Sequence, residues 1–231
     1  MNSFDLIAIG FLSKFSLRYV EFDRFVELIS TNNMFKGGVL LPIVWWAWFK
    51  AGERQQSNRL HLVAMLASCA VSMLLARVLA TVLPFRERPV FSEELNSFFP
   101  KGIVQVALDN WSSFPSDHAA LFFTLSTGLL FVSKPAGIFA ICYTALFIGF
   151  PRIFLGLHFP TDVIAGAIIG IAVAVLGNIV FVKSRYLQKI TEWSYERPAF
   201  FYPLFFLLSF QLSELFYSVR ILGKATLNLL H

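Results

Sequence analysis

Charge is what this chain has least of. Charged residues fill 14% of its 231 positions against 57% for hydrophobic ones, with a mean hydropathy of +0.67. So few charges cannot cover a water-soluble globule of this size, which points to an integral membrane protein. Cysteine is nearly absent too. Cys69 and Cys142 lie inside apolar runs with no CxxC spacing, so a disulfide framework and thiol redox chemistry are not expected. No His, Cys, Asp and Glu set has metal-ligand spacing, so neither a metal nor a cofactor is expected. There is no internal repeat and no low-complexity segment. No nucleic-acid module is apparent, and the net charge of +5 fits loop arginines and lysines facing anionic lipid headgroups.

What the chain has is apolar length. Runs near 34–50, 60–83, 116–133, 136–151, 161–182 and 199–221 read as six membrane-spanning helices, so the expected fold is an all-α, polytopic membrane protein. The whole of 1–231 reads as one membrane-embedded domain, with a core at 34–222 behind an N-terminal interfacial segment at 1–33. That segment mixes Leu6, Ile9, Phe11 and Phe15 with Lys14, Arg18, Glu21 and Asp23, which suits one or two amphipathic helices at the membrane surface. It lacks the basic start of a signal peptide, because Asp5 precedes any Lys or Arg. The 27 Phe and five Trp read as packing and interfacial belts.

Lys50, Arg54, Arg59, Lys134, Lys183, Arg185, Lys189 and Arg197 crowd three short loops, which the positive-inside rule places in the cytoplasm. The longest loop, near 84–115, then lies on the outer side with the turn at 152–160. Three polar segments meet there: Arg88-Pro89, Pro115-Ser116-Asp117-His118, and Arg152 to Asp162.

Pro115 can occupy the first turn of a helix capped by Ser113 or Phe114, aiming the backbone N–H groups of Ser116, Asp117 and His118 outward as a phosphate-binding start. Pro160 opens the next helix, which carries Asp162 and leaves His158 just before it. Asp162 can bend back to His158, fix its tautomer and leave the other ring nitrogen free to attack phosphorus. Arg88 and Arg152 supply planar cationic forks for phosphoryl oxygens, and His118 a proton for the leaving oxygen.

These segments resemble the type 2 phosphatidic acid phosphatase superfamily of membrane lipid phosphatases, whose pattern runs K-x6-RP, PSGH and SR-x5-H-x3-D. Arg88-Pro89 matches the end of the first element, Pro115 to His118 the second with Asp117 for Gly, and Arg152, His158 and Asp162 the third. PSDHAA after R-x-RP is similar to bacterial undecaprenyl-diphosphate phosphatases in particular. The resemblance implies a nucleophilic His158 oriented by Asp162, a phosphohistidine intermediate, His118 as general acid, and phosphate held by Arg88, Arg152 and Ser116. It also implies a lipid phosphate substrate, undecaprenyl diphosphate first and phosphatidic acid or phosphatidylglycerol phosphate next, in a bacterial inner membrane with the site facing the periplasm. Transfer to another acceptor and lipid-phosphate binding without turnover are the alternatives.

The chain departs from the pattern at three positions. Thr81 stands where the family has Lys, Pro151 replaces the Ser of SR, and Asp117 brings a carboxylate to an anionic site. Arg77, one turn before Thr81, and Arg86 in the loop are the candidates to replace the missing cation. Arg77 also lies within a span, where an arginine needs a partner, and Glu214 at a matching depth in the last span is expected to pair with it or share a polar pocket with it.

Overall fold

The computed structural model describes residues 2–100 and 111–215, and among them it contains α-helices and no strand. Two short helices come first, α1 (Ser3–Leu12) and α2 (Val20–Thr31). A π-helical turn at Met34–Gly38 leads into α3 (Val39–Phe49), and then come α4 (Gln55–Val82) and α5 (Asp117–Leu130). α6 (Lys134–Tyr143) continues through a π-helical turn at Thr144–Gly149 into α7 (Phe150–Phe154). α8 (Pro160–Phe181), α9 (Arg185–Glu196) and α10 (Pro198–Ser213) complete the described chain.

Helices form at all six positions where spans were expected, but they are not alike. Gln55–Val82, Lys134–Phe154 and Pro160–Phe181 are long and apolar enough to cross a membrane; Met34–Phe49 and Pro198–Ser213 are shorter, and α5 has 14 residues. At 1.5 Å per residue α5 is about 21 Å long, less than a hydrocarbon core of about 30 Å. The six-span count is therefore not established by helix length. The expected end of the last span, 216–221, lies outside the described residues.

α5 is the axis of the bundle, and every residue from Ala119 to Leu129 is buried. α4, α6 and α8 surround it. Its hydroxyls serve this packing: Thr124 Oγ1 donates to the Ala120 and Gly170 carbonyls at 2.7 and 3.1 Å, and Ser126 Oγ donates to the Ala140 carbonyl at 3.0 Å. α8 approaches closely because it presents glycines. A Cβ on Gly166 would lie 2.4 Å from the Ser116 carbonyl oxygen, and one on Gly170 would lie 2.4 Å from that of Ala120. Small residues at such a contact let backbones meet without a hydrophobic driving force. The contact brings the starts of α5 and α8 side by side. Away from that end, Leu40, Val44, Trp48, Leu62, Leu121, Phe122, Leu125, Phe201 and Phe205 form the apolar core.

The N-terminal segment is two helices, as its composition allows, but α1 turns most of its apolar side chains away from the protein. Phe4, Leu6, Ile7 and Phe11 are exposed, whereas Asp5 and Ile9 are buried. The intramembrane charges also pair differently from expectation. Arg77 Nη2 lies 3.7 Å from Asp117 Oδ2, and Glu214 accepts from Asn33 Nδ2 at 3.3 Å. Matching depth along two helices does not fix the direction each side chain faces. α10 packs on the Met34–Gly38 turn, so Glu214 meets Asn33, while Arg77 faces the start of α5. Cys69 is buried, Cys142 exposed, and both are free thiols.

Candidate active site

α5 begins at Asp117, later than Pro115 would place it, with Ser116 as its cap: Ser116 Oγ accepts from Ala119 N at 3.4 Å. The amides expected to face a phosphate are partly taken. Ser116 N donates to the Asp162 backbone carbonyl at 3.1 Å, and His118 N donates to Asp117 Oδ1 at 2.8 Å. Fully buried Ser116 thus joins the starts of α5 and α8.

His158 lies in the turn between α7 and α8, which reverses at Gly156 with a φ of 66°. A Cβ there would meet the Phe99 ring at 2.7 Å as well as the strain of the left-handed region. The turn is fixed from within by His158 N and Leu157 N, which donate to the Arg152 carbonyl at 3.1 and 2.9 Å. The His158 ring is 3% exposed. Its Nδ1 lies 2.8 Å from the Ser113 carbonyl oxygen, which can only accept, so Nδ1 carries the proton. Nε2 keeps its lone pair and faces Arg88 Nη1 at 3.2 Å. Burial, the largest influence, pushes the His158 imidazole below its ordinary value against the opposing Asp162 carboxylate, so the ring is neutral near pH 7.

Asp162 does not take the position expected of it. Its Oδ2 is 3.8 Å from His158 Nδ1, farther than the Ser113 carbonyl. That oxygen accepts instead from Ser113 Oγ and, at 2.7 Å, from Phe159 N. Pro160 puts Asp162 in the first turn of α8, where its carboxylate reaches back to the amides and hydroxyls before the helix and holds Ser113.

His118 repeats the arrangement. Its Nδ1 is 2.9 Å from Asp117 Oδ1, and its Nε2 accepts from Arg152 Nη2 at 2.5 Å. Asp117, the departure from PSGH, therefore orients His118 with one oxygen and faces Arg77 with the other. Both imidazoles present an Nε2 lone pair to an arginine, a geometry in which an anion could bind between cations and accept attack. Arg88 is 7% exposed and donates to the Leu157 carbonyl at 2.6 Å. Its Nε, and Nε and Nη2 of Arg77, have no hydrogen-bond partner among the described residues, which leaves donors for an oxyanion.

Arg86 is the expected cation that the structure reassigns. It donates to Asp162 Oδ1 at 2.5 Å and Asp5 Oδ2 at 2.6 Å, with its guanidinium 4.1 Å from the centre of the Phe159 ring. Two carboxylates hold it, so it is not free to take a phosphate. Thr81 does not act in place of lysine either: it is exposed, and its hydroxyl donates to the Val78 carbonyl at 2.8 Å. Among the described residues no three His, Cys, Asp or Glu side chains cluster as a metal site. A separate cleft lined by Lys50, Arg54 and His61 opens near the start of α4 and shares no residue with this cluster.

The family model of the PAP2 superfamily matches residues 60–186, which include both histidines and every arginine of the cluster. The chain belongs to the PAP2 superfamily. Among curated relatives, the bacitracin transport permease protein BcrC of Bacillus licheniformis is 24% identical over 74% of this chain and 77% of its own length. The undecaprenyl-diphosphatase BcrC of Bacillus subtilis is 29% identical over 46% of this chain and 51% of its own. The fold is shared with the crystal structure of a transmembrane PAP2-type phosphatidylglycerolphosphate phosphatase from Bacillus subtilis. That structure has a TM-score of 0.51 and 21% identity, and the match covers 80% of this chain and 90% of the other. This PAP2 protein is accordingly a multi-pass membrane protein of the lipid phosphatase family, whose phosphatases hydrolyse phosphate esters.

Three residues at or beside this cluster escaped the sequence reading. Ser113 was considered only as a helix cap, yet it supplies the carbonyl that orients His158. Asp5 lay in a segment read as interfacial. Lys36, to which the sequence assigned no part in the site, is 9% exposed in the Met34–Gly38 turn, which packs against the Thr144–Gly149 turn that leads to Arg152. Only the lack of a lysine at position 81 signalled that a cation should come from elsewhere.

Proposed function

We propose that this PAP2 protein removes the terminal phosphate from a lipid phosphate or diphosphate, with undecaprenyl diphosphate as its substrate, at the outer face of a bacterial inner membrane. The observation that carries the reading is the His158 ring, with Nδ1 held by the Ser113 carbonyl and an unprotonated Nε2 that faces Arg88 Nη1 at 3.2 Å. In this reading the phosphate enters between Arg88, Arg152 and Arg77. His158 Nε2 attacks phosphorus, and the bond to the lipid-borne oxygen breaks as that oxygen takes a proton from His118 Nε2, which enters the cycle protonated once the bound phosphate has drawn Arg152 away from it. Water then attacks the phosphohistidine, losing its proton to His118 and releasing inorganic phosphate with His158 restored. The arginines stabilise the charge on the transferring group. The likeness to the undecaprenyl-diphosphatase BcrC of Bacillus subtilis, together with PSDHAA, supports the diphosphate lipid as substrate.

The test is phosphate release from undecaprenyl diphosphate and from phosphatidic acid by purified protein in detergent with a chelator present, beside His158→Ala. Faster release from the diphosphate by the wild type alone is expected. Preference for phosphatidic acid would overturn the substrate assignment, and dependence on added metal or activity in His158→Ala would overturn the mechanism.

A further inference from the structure

The N-terminal helix enters the site through a single carboxylate. Asp5 is completely buried, and its oxygens accept from Thr161 N at 3.0 Å, Thr161 Oγ1 at 2.7 Å and Arg86 Nη2 at 2.6 Å. Thr161 belongs to the first turn of α8, so the carboxylate also sits at the positive end of that helix. Arg86 carries the contact onward: Nη1 donates to Asp162 Oδ1 at 2.5 Å and to Thr161 Oγ1 at 2.9 Å. Asp162 Oδ2 accepts from Ser113 Oγ, and the Ser113 carbonyl receives the proton of His158 Nδ1 at 2.8 Å. Hydrogen bonds thus link α1 to the imidazole, with the covalent frame of Ser113 joining the hydroxyl that meets Asp162 to the carbonyl that meets His158.

A second observation shows that α1 is seated rather than merely adjacent. Ile9, one turn after Asp5 and on the same face, packs with Val90, Leu95, Phe99 and Phe159. It therefore grips both the loop that carries Arg88 and the residue that caps α8. Burying a carboxylate is costly unless charge and hydrogen bonds compensate, and here three donors do so. An isolated helix of ten residues is barely stable, so α1 depends on this docking for its place. An anchor alone would be served by Ile9. A buried acid bonded to the arginine that holds Asp162 has a consequence for the chemistry.

We infer that Asp5 is a positioning residue for phosphoryl transfer, holding Arg86 and through it the Asp162–Ser113 pair that aims His158. The inference rests on the proposed role of His158. Asp5→Asn removes the charge at nearly constant volume. The expected result is a fall in kcat of roughly tenfold to a hundredfold, as for other groups that orient a reacting side chain, with KM within about twofold. Ile9→Val is the comparison: it trims the apolar seat of α1 by one methylene while leaving Asp5 in place, and its kcat should stay within about threefold of wild type below its unfolding temperature. Asp5→Asn with near-wild-type kcat, or Ile9→Val falling as far, would overturn the inference. If Asp5→Asn does not fold, Thr161→Ala relaxes the same junction without stranding a charge. Its kcat should fall severalfold at constant KM, and an unchanged kcat would overturn the inference. His158→Ala in the same assay separates the failures, because activity there removes the role of His158 itself, whereas an inactive His158→Ala beside an unimpaired Asp5→Asn removes only the role of Asp5.

Discussion

Asp117 offers the sharpest perturbation of the proposed phosphate site, because it stands where the family pattern has no side chain and does two opposing things. One oxygen orients His118, and the other lies 3.7 Å from Arg77. At that separation and an effective dielectric constant of about 20, the gross attraction is about 4–5 kcal/mol. Both side chains are partly solvated, 22% and 29% exposed, so a net worth of about 1 kcal/mol is the defensible figure. Asp117→Asn keeps an oxygen to accept from His118 Nδ1 but releases Arg77 and removes a carboxylate that repels the substrate. If Arg77 returns that same energy to the bound phosphate, KM falls about fivefold, while kcat stays within about threefold. Asp117→Ala removes the orienting acceptor as well, and its kcat should fall by about tenfold to a hundredfold. Steady-state kinetics on micellar lipid diphosphate measures both. An Asn variant with raised KM would show that Arg77 and Asp117 do not compete with substrate as argued, and an Ala variant with wild-type kcat would show that His118 needs no orienting acid.

Because burial disfavours the charged form of His158, the ring loses its proton at lower pH than an ordinary imidazole, so the acid limb of kcat/KM should lie below about 6.5; a pH profile with its limb above 7 would contradict this. A methyl on Gly170 would lie 2.4 Å from the Ala120 carbonyl and 3.0 Å from Thr124 N, both backbone atoms that cannot give way. Gly170→Ala should therefore destabilise by about 1–3 kcal/mol, read as earlier thermal unfolding in detergent, and an unchanged transition would refute the close contact. Lys36→Met should raise KM with kcat little changed if Lys36 supplies the cation missing at Thr81, and an unaltered KM would exclude that role.

The site was legible where chemistry is coded by short spacing at a helix start. Pro160 fixes where α8 begins, which places Asp162 in the first turn and His158 just outside it; Pro115 and Ser116 do nearly the same for His118. What was not legible depends on which side chains meet across the chain. Asp5 reaches Arg86 and Thr161 across separations of 81 and 156 residues, and its own segment carries enough charge to pass for a surface helix. Ser113 acts through a backbone carbonyl, which a sequence motif does not record. Apolar runs located the helices of the bundle but not their lengths, because α5 is wrapped by its neighbours and can be short and hydroxyl-rich. Arg77 was recognised as needing a partner, yet sequence depth favoured Glu214, and only the packing of α4 beside the start of α5 selects Asp117.

The central claim is that His158 Nε2 takes the phosphoryl group. It is tested most directly by quenching the protein in alkali during turnover of lipid diphosphate labelled in its terminal phosphate, then locating protein-bound label by peptide mapping. An acid-labile, alkali-stable phosphate on the peptide containing His158, absent from His158→Ala, is the predicted result. A turning-over protein that carries label on another residue, or whose His158→Ala form still releases phosphate, would contradict it.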